Sequence, residues 1–132
     1  MSKSNLRKEM KAMYEREFSG TPGKGESSVY IPFYAKNPKF QDLSERENMD
    51  DYQELFHVWA ENLDQVFHRM QGEVWSPEGE ARDYIRFLGL KHTSMSVGDV
   101  IYDWLEDKYF AVQMCGFTEI KLFRSSFWNF HK

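Results

Sequence analysis

The sequence predicts an α+β domain in which a small antiparallel sheet packs against two helices, with an N-terminal amphipathic helical arm. A long periodic stretch from residue 49 to 71 predicts helix, and paired apolar runs after residue 97 predict the sheet. At 132 residues and 17% aromatic side chains, the chain can bury a core without disulfides or a metal. We therefore expect a flexible basic arm and linker over residues 1–27 and a single α+β domain over residues 28–132.

The two helices are predicted from apolar periodicity and from their end signals. In residues 49–71, apolar side chains recur at intervals of four and three, which places them on one helical face. Gly72 can end this helix, and a second one is predicted over residues 77–88, from the Ser76-Pro77 start signal to a stop at Gly89. The apolar face of the first helix comprises Tyr52, Phe56, Trp59, Leu63, Val66, Phe67 and Met70.

Three apolar runs predict the strands, near residues 29–35, 98–105 and 109–115. Pro32 lacks a backbone donor, which predicts an edge position for the first strand. The other two are expected to form a hairpin that turns near residues 106–108. The expected core comprises Trp59, Leu63, Phe67, Ile85, Leu88, Val100, Ile101, Phe110 and Val112.

Charge is distributed unevenly along the chain, although the formal net charge is only −4. Residues 4–18 have the apolar spacing of an amphipathic helix, and residues 1–18 carry five basic side chains against three glutamates. Residues 42–54 carry six carboxylates against Arg46 alone. The basic arm and the acidic segment are therefore expected to attract each other or different partners, and a globally basic nucleic-acid binder is excluded.

The cysteine content and the hydropathy pattern predict a cytoplasmic protein. Cys115 is the single cysteine, so it cannot form an internal disulfide, and its apolar surroundings predict a buried thiol. No apolar run approaches the roughly 20 residues of a membrane span, and the charged N-terminus lacks the apolar region of a signal peptide. We expect no contact with a membrane.

A metal-like pattern occurs within the first predicted helix, where His57, Glu61, Asp64 and His68 follow spacings of four, three and four. One straight helix cannot supply four ligands converging on a point, so a solvated helix face is favoured over a metal site. The glycine-rich stretch at residues 20–24 lacks the spacing of a phosphate loop. The sequence therefore predicts no metal and no cofactor.

Polar side chains at residues 92–99 allow two interpretations. His92 with Ser94 or Ser96 could mark a small enzyme site, but no glycine elbow or orienting carboxylate accompanies the hydroxyls. Turn and capping roles are favoured, because hydroxyls satisfy backbone donors near a strand. Gly98 followed by Asp99 predicts a tight bend at positive φ before the strand.

The block from residue 75 to 120 contains His92-Thr-Ser-Met-Ser-Val-Gly-Asp-Val-Ile101 and Cys115-Gly-Phe-Thr-Glu-Ile120. It resembles small proteins of bacteriophages and other mobile elements, including the YodL-like domain, over about a third of the chain. The resemblance implies an accessory domain and brings no catalytic residues. The residues that carry it are His92, Ser94, Ser96, Gly98, Asp99, Gly116 and Phe117.

The expected function is that of a non-enzymatic phage-type accessory protein that binds a host or viral protein, in the host cytoplasm if a phage encodes it. An alternative is a nucleic-acid-binding module, in which bases stack on C-terminal aromatic rings beside cations. A small enzyme with a site near residues 92–99 is the third possibility. The protein-binding prediction uses Arg7, Lys11, Tyr14, Asp50, Asp51, Phe127 and Trp128, and the nucleic-acid alternative uses Lys121, Arg124, Phe127 and Trp128.

Overall fold

The computed structural model of the protein describes Glu9, residues 28–38 and residues 40–124. Within these residues the fold is mostly sheet, curled into a mixed half-barrel, and its helices are short. The predicted small antiparallel sheet packed against two helices is therefore wrong. Apart from Glu9, the predicted arm and linker over residues 1–27 lie outside the described residues.

The described residues form seven strands, three α-helices and one 3-10 helix. The strands are β1 (Ser28–Ala35), β2 (Arg46–Asn48), β3 (Tyr52–Glu54), β4 (Val58–Ala60), β5 (Val100–Asp103), β6 (Lys108–Gln113) and β7 (Gly116–Phe123). The helices are α1 (Leu63–Arg69), α2 (Gly72–Trp75) and α3 (Arg82–Phe87), and the 3-10 helix is Met49–Asp51.

The connectivity explains why the sheet curls. Its strand order is β2-β7-β6-β5-β1-β3, with β4 also pairing with β1, and the pairs are antiparallel except for β2 with β7. Strands β2 and β3 stand at opposite ends of this order, yet only the three-residue 3-10 helix separates them in sequence. Since an extended chain spans at most about 3.6 Å per residue, the two ends of the sheet must approach each other.

Strand β1 is central, so the predicted edge position is wrong. It pairs with β5 on one side and with β3 and β4 on the other. Leu55 N donates to Pro32 O at 2.9 Å, within residues 55–57 that separate β3 from β4. A strand residue directs its N–H and C=O to the same side, so the donor that Pro32 lacks would face this interruption.

The predicted helix over residues 49–71 is replaced by short elements. Asn48 Oδ1 accepts from Asp50 N and caps the 3-10 helix, whereas Asn62 Oδ1 accepts from Gln65 N and begins α1 at Leu63. Leu55 and Phe56, which lie between β3 and β4, are both buried. The apolar spacing of residues 49–71 therefore reflects burial in strands and connections as well as in a helix.

The second predicted helix exists in shortened form as α3. Gly89 adopts φ +79°, and Leu90 N donates to Ile85 O at 3.0 Å, so the predicted glycine stop is confirmed. The predicted role of Gly72 is wrong, since Gly72 begins α2 instead of ending a helix. Of the two predicted glycine stops, only Gly89 therefore matches a helix end, and the helix predicted to begin at residue 77 begins at Arg82.

The predicted hairpin of β5 and β6 is confirmed, but its turn spans residues 104–107 and so begins two residues before the predicted 106–108. Gly98 precedes it with φ +99°, as the predicted bend requires. A second hairpin joins β6 to β7 through residues 114 and 115, with Gly116 at φ +85°. Cys115 lies in this turn and is exposed, so the predicted buried thiol is wrong.

Two apolar clusters cover the two faces of the sheet. One contains alternate residues of β1, such as Tyr30 and Tyr34, and packs against the helices. The other, which we call the second cluster, lies on the opposite face of the sheet and contains Phe33, Ala35 and Tyr52. Among the expected core residues Ile85, Leu88, Val100, Ile101 and Val112 are buried, whereas Trp59, Leu63, Phe67 and Phe110 are partly buried. Within the described ranges, every helix is too short or too polar to cross a membrane.

Candidate functional site

Asp99 organises the turn before β5. Asp99 is 1% exposed, and its carboxylate accepts three hydrogen bonds of 2.8 Å. Oδ2 accepts from Ser96 N and from His92 Nε2, and Oδ1 accepts from Ala35 N at the end of β1. We call these four residues the Asp99 network. Hydrogen bonds to a carboxylate are stronger than neutral ones, so the network ties the turn firmly to the sheet.

Tyr34 fixes the same turn from the helical side. Its ring stacks on the His92 ring with a centroid distance of 4.6 Å and an interplanar angle of 14°. Its hydroxyl donates to Thr93 O at 2.7 Å and lies 3.3 Å from Met70 O. Trp75 Nε1 donates to the same Thr93 carbonyl at 3.1 Å. The turn is therefore held between β1, α1 and α2.

The serine hydroxyls of the turn serve the backbone. Ser94 Oγ accepts from Gly72 N at 2.7 Å at the start of α2, and Ser96 Oγ donates to Ser94 O at 3.2 Å. Neither hydroxyl bonds to His92, whose Nδ1 is buried and has no partner within the described part of the chain. A hydrolase-type site would need a hydrogen bond between one of these hydroxyls as nucleophile and His92 as base, and the turn does not provide that contact.

The burial of Tyr34 predicts a change in stability at high pH. Burial, and then the Asp99 carboxylate, raise the pKa of Tyr34 well above 10.0. A raised pKa means that the folded state disfavours the phenolate, so this stabilisation is complete below about pH 10 and is lost as the pH rises towards the folded pKa. We expect the free energy of unfolding to fall above pH 10 more steeply in the unaltered protein than in Tyr34→Phe.

The two pH profiles can be measured by urea denaturation between about pH 9 and pH 11, where they should diverge by up to about 1.4 kcal/mol per pH unit. Lysine deprotonation affects the unaltered protein and Tyr34→Phe alike, so the difference between their pH profiles isolates the titration of Tyr34. Parallel profiles would contradict the raised pKa of Tyr34 in the folded protein.

A cavity of about 210 Å³ adjoins the Asp99 network. Gly98 lies on its wall next to the loop before β2: a Cβ added to Gly98 would lie 3.5 Å from Gln41 O. Ala35, held by Asp99, forms part of the same wall. We call this space the acidic cavity. Its lining comprises Ala35, Asn37, Leu43, Glu47, Asp51, Tyr52 and Gly98.

Two carboxylates and one phenol give the acidic cavity its polar character. Glu47 Oε2 accepts from Ser44 N at 2.9 Å and from Ser44 Oγ at 2.7 Å, which fixes its orientation. Asp51 is exposed and makes no ion pair within the described residues. Tyr52 is 7% exposed, and its hydroxyl has no hydrogen-bond partner in the part of the chain that is described. Burial, followed by Glu47, Asp99 and Asp51, raises the pKa of Tyr52.

A second surface feature lies at the tip of the β5–β6 hairpin. Trp104 is 62% exposed and Leu105 68% exposed, and Trp104 joins Val29, His57 and Trp59 around a shallow depression. The sequence analysis placed both residues inside a strand and missed this surface. Their adjacency gave no signal, because both faces of this sheet are covered and adjacent strand residues such as Val100 and Ile101 are both buried.

The predicted partner-binding residues are only partly described. Asp50 and Asp51 lie exposed on the 3-10 helix, whereas Arg7, Lys11, Tyr14, Phe127 and Trp128 lie outside the described residues. For the nucleic-acid alternative, Lys121 is exposed on β7 and Arg124 is exposed just after it. Of the family-motif residues outside the turn, Gly116 begins β7 and Phe117 packs against the helix-facing cluster.

The metal-like pattern of the sequence does not share one helix face. His57 precedes β4 and Glu61 follows it, while only Asp64 and His68 lie in α1. Within residues 28–38 and 40–124, together with Glu9, no three His, Cys, Asp or Glu side chains form a group that could hold a metal ion. Comparisons of the chain with protein-family models, with curated proteins and with solved structures find no match.

Proposed function

We propose that the protein is a non-enzymatic accessory protein, of the kind found in phages and mobile elements, that binds a basic segment of a host or viral protein. Its binding surface is the acidic surface formed by residues 42–54. The observation that supports this proposal is the exposure of Asp50 and Asp51 on the 3-10 helix, beside the acidic cavity and without ion pairs in the described residues.

The one cation of this segment does not offset its carboxylates. Arg46 stands on β2 with its guanidinium 5.1 Å from the centre of the Phe123 ring, so it is engaged at the β7 edge. A surface of one sign attracts segments of the opposite sign and raises their rate of association. The surface therefore favours lysine-rich or arginine-rich protein segments and repels the phosphates of nucleic acids.

This proposal predicts that neutralising the surface weakens the binding of a basic peptide. The probe is a fluorescent peptide of alternating glycine and arginine, and the variant is Asp50→Asn with Asp51→Asn. We expect the dissociation constant measured by fluorescence anisotropy at low salt to rise about tenfold, which corresponds to about 1.4 kcal/mol. Since both carboxylates are exposed, the difference should shrink at physiological salt.

The matched control is Glu78→Gln with Asp83→Asn, which removes two exposed carboxylates elsewhere on the surface. It should bind the peptide as the unaltered protein does, apart from the small effect of net charge. If both double variants weakened peptide binding equally, net charge alone would explain the binding, and the proposed surface would be overturned. Absence of binding at low salt would overturn the proposed function.

A further inference from the structure

The acidic cavity is lined by a largely buried tyrosine whose hydroxyl has no hydrogen-bond partner among the described residues. Tyr52 is 7% exposed, it lines the acidic cavity, and its hydroxyl makes no hydrogen bond within the described residues. The hydroxyl oxygen itself is not fully buried, so water in the acidic cavity can reach it. A ligand that displaces this water loses affinity unless it offers the hydroxyl a hydrogen bond in its place.

The charges around the acidic cavity indicate the sign of that ligand. Glu47 and Asp51 line it, and Ser44 holds the Glu47 carboxylate in place. On the rim, Lys91 Nζ donates to Asn37 Oδ1 at 2.8 Å, so this cation binds Asn37 and pairs with neither carboxylate. Lys36 is exposed and makes no ion pair in the described part of the chain. Both charged side chains of the lining are carboxylates, so the acidic cavity favours a cation that carries hydrogen-bond donors.

The shape and lining of the acidic cavity distinguish between cations. Its volume of about 210 Å³ is several times the ~30 Å³ that one water molecule occupies in the liquid, which is more than a bare metal ion fills. Ala35, Leu43 and the Tyr52 ring provide apolar wall for a methylene stem. A planar guanidinium carries five donors, whereas an ammonium presents three from one point. The arrangement fits an arginine side chain better than a lysine side chain.

We propose that the acidic cavity is a specificity pocket for one arginine side chain of the partner protein. Glu47 and Asp51 bind the guanidinium, and the Tyr52 hydroxyl accepts one of its hydrogen bonds. Leu43 and Ala35 pack against its methylene groups. This inference rests on the proposed function and adds to it a side-chain preference that a purely electrostatic surface would not have.

The first test needs no variant of the protein. Three fluorescent peptides with the same glycine-rich frame carry one arginine, one lysine or one citrulline, together with the same flanking lysines. Citrulline keeps the shape of arginine without its charge. We expect the arginine peptide to bind about fivefold more tightly than the lysine peptide and about tenfold more tightly than the citrulline peptide, since a charged hydrogen-bond pair contributes more than a neutral one.

The second test removes only the hydroxyl, through Tyr52→Phe, which keeps the ring in the apolar cluster that contains Phe33 and Ala35. We expect a loss of about fivefold for the arginine peptide and no change for the lysine peptide. Tyr102→Phe is the matched control, because the Tyr102 hydroxyl bonds to Asp107 Oδ1 at 2.6 Å in the β5–β6 turn and not in the acidic cavity. It should leave both affinities unchanged.

The outcomes separate the two proposals. If arginine and lysine peptides bind equally and Tyr52→Phe changes neither affinity, the surface binds basic segments and the pocket assignment is overturned. If none of the three peptides binds at low salt, both proposals are overturned. An arginine preference that Tyr52→Phe reduces and Tyr102→Phe leaves intact supports the pocket.

Discussion

Replacing Asp99 by asparagine is expected to lower the free energy of unfolding by about 2 to 4 kcal/mol. The amide keeps the size of the side chain but turns one acceptor oxygen into a donor. That donor must then face Ala35 N on one side, or Ser96 N and His92 Nε2 on the other. Each orientation leaves a buried N–H without an acceptor and also removes the charge that strengthens the remaining bonds.

Urea denaturation of the full chain at neutral pH measures this loss. Asp83→Asn is the control, because the Asp83 side chain is 87% exposed and its contact with Arg86 is long, at 3.9 Å. An exposed pair of this kind contributes little, so we expect a change within about 0.5 kcal/mol. A loss below about 1 kcal/mol in Asp99→Asn would mean that the Asp99 network is not held as the structure shows.

Truncating Tyr34 to alanine is expected to cost about 3 to 5 kcal/mol, as for other large aromatic residues of protein cores. Tyr34 is fully buried, it stacks on His92, and its hydroxyl bonds to Thr93 O. Tyr34→Phe should cost only about 1 kcal/mol, since Trp75 Nε1 still donates to that carbonyl. The difference between the two variants separates the contribution of the ring from that of the hydroxyl.

Urea denaturation of the full chain measures the loss in both Tyr34 variants, and Phe40→Ala is the control. Phe40 is an aromatic residue with 61% of its surface exposed, so its truncation should change the free energy of unfolding little. If Tyr34→Ala were no more destabilising than Phe40→Ala, the packing of β1 against the turn would be refuted.

Local features of the fold could be predicted from sequence because short-range chemistry determines them. Gly89 and Gly98 both adopt positive φ where a helix stop and a tight bend were expected, and β5 and β6 form the expected hairpin, although its turn begins two residues earlier than predicted. The helix over residues 49–71 was wrong because apolar side chains at intervals of three and four also occur in short strands and connections. The Asn62 cap was the local signal that α1 begins at Leu63.

The pairings between distant strands carried no such local signal. Strand β2 consists of the polar residues Arg46, Glu47 and Asn48, and nothing in their pattern indicates a parallel pairing with β7. Pro32 gave a misleading signal, since the interruption that accommodates it lies in residues 55–57.

The candidate site could be predicted only in part. The polar turn was recognised and its hydroxyls were assigned to the backbone, but Tyr52 was expected on a helix face and the acidic cavity was not foreseen. The wall at Gly98 and the lining at Glu47 and Tyr52 meet only after the sheet has curled. Their proximity is a property of the tertiary fold, which no spacing along the chain encodes.

The short link between β2 and β3 also bears on how this sheet behaves at high concentration. The outer strands of a sheet present unpaired backbone donors and acceptors, to which a strand of another molecule can add. Here β2 and β3 have three residues each, and the 3-10 helix between them holds the two margins close together. At these two margins the sheet thus offers only three-residue templates to a neighbouring chain, which disfavours strand addition there.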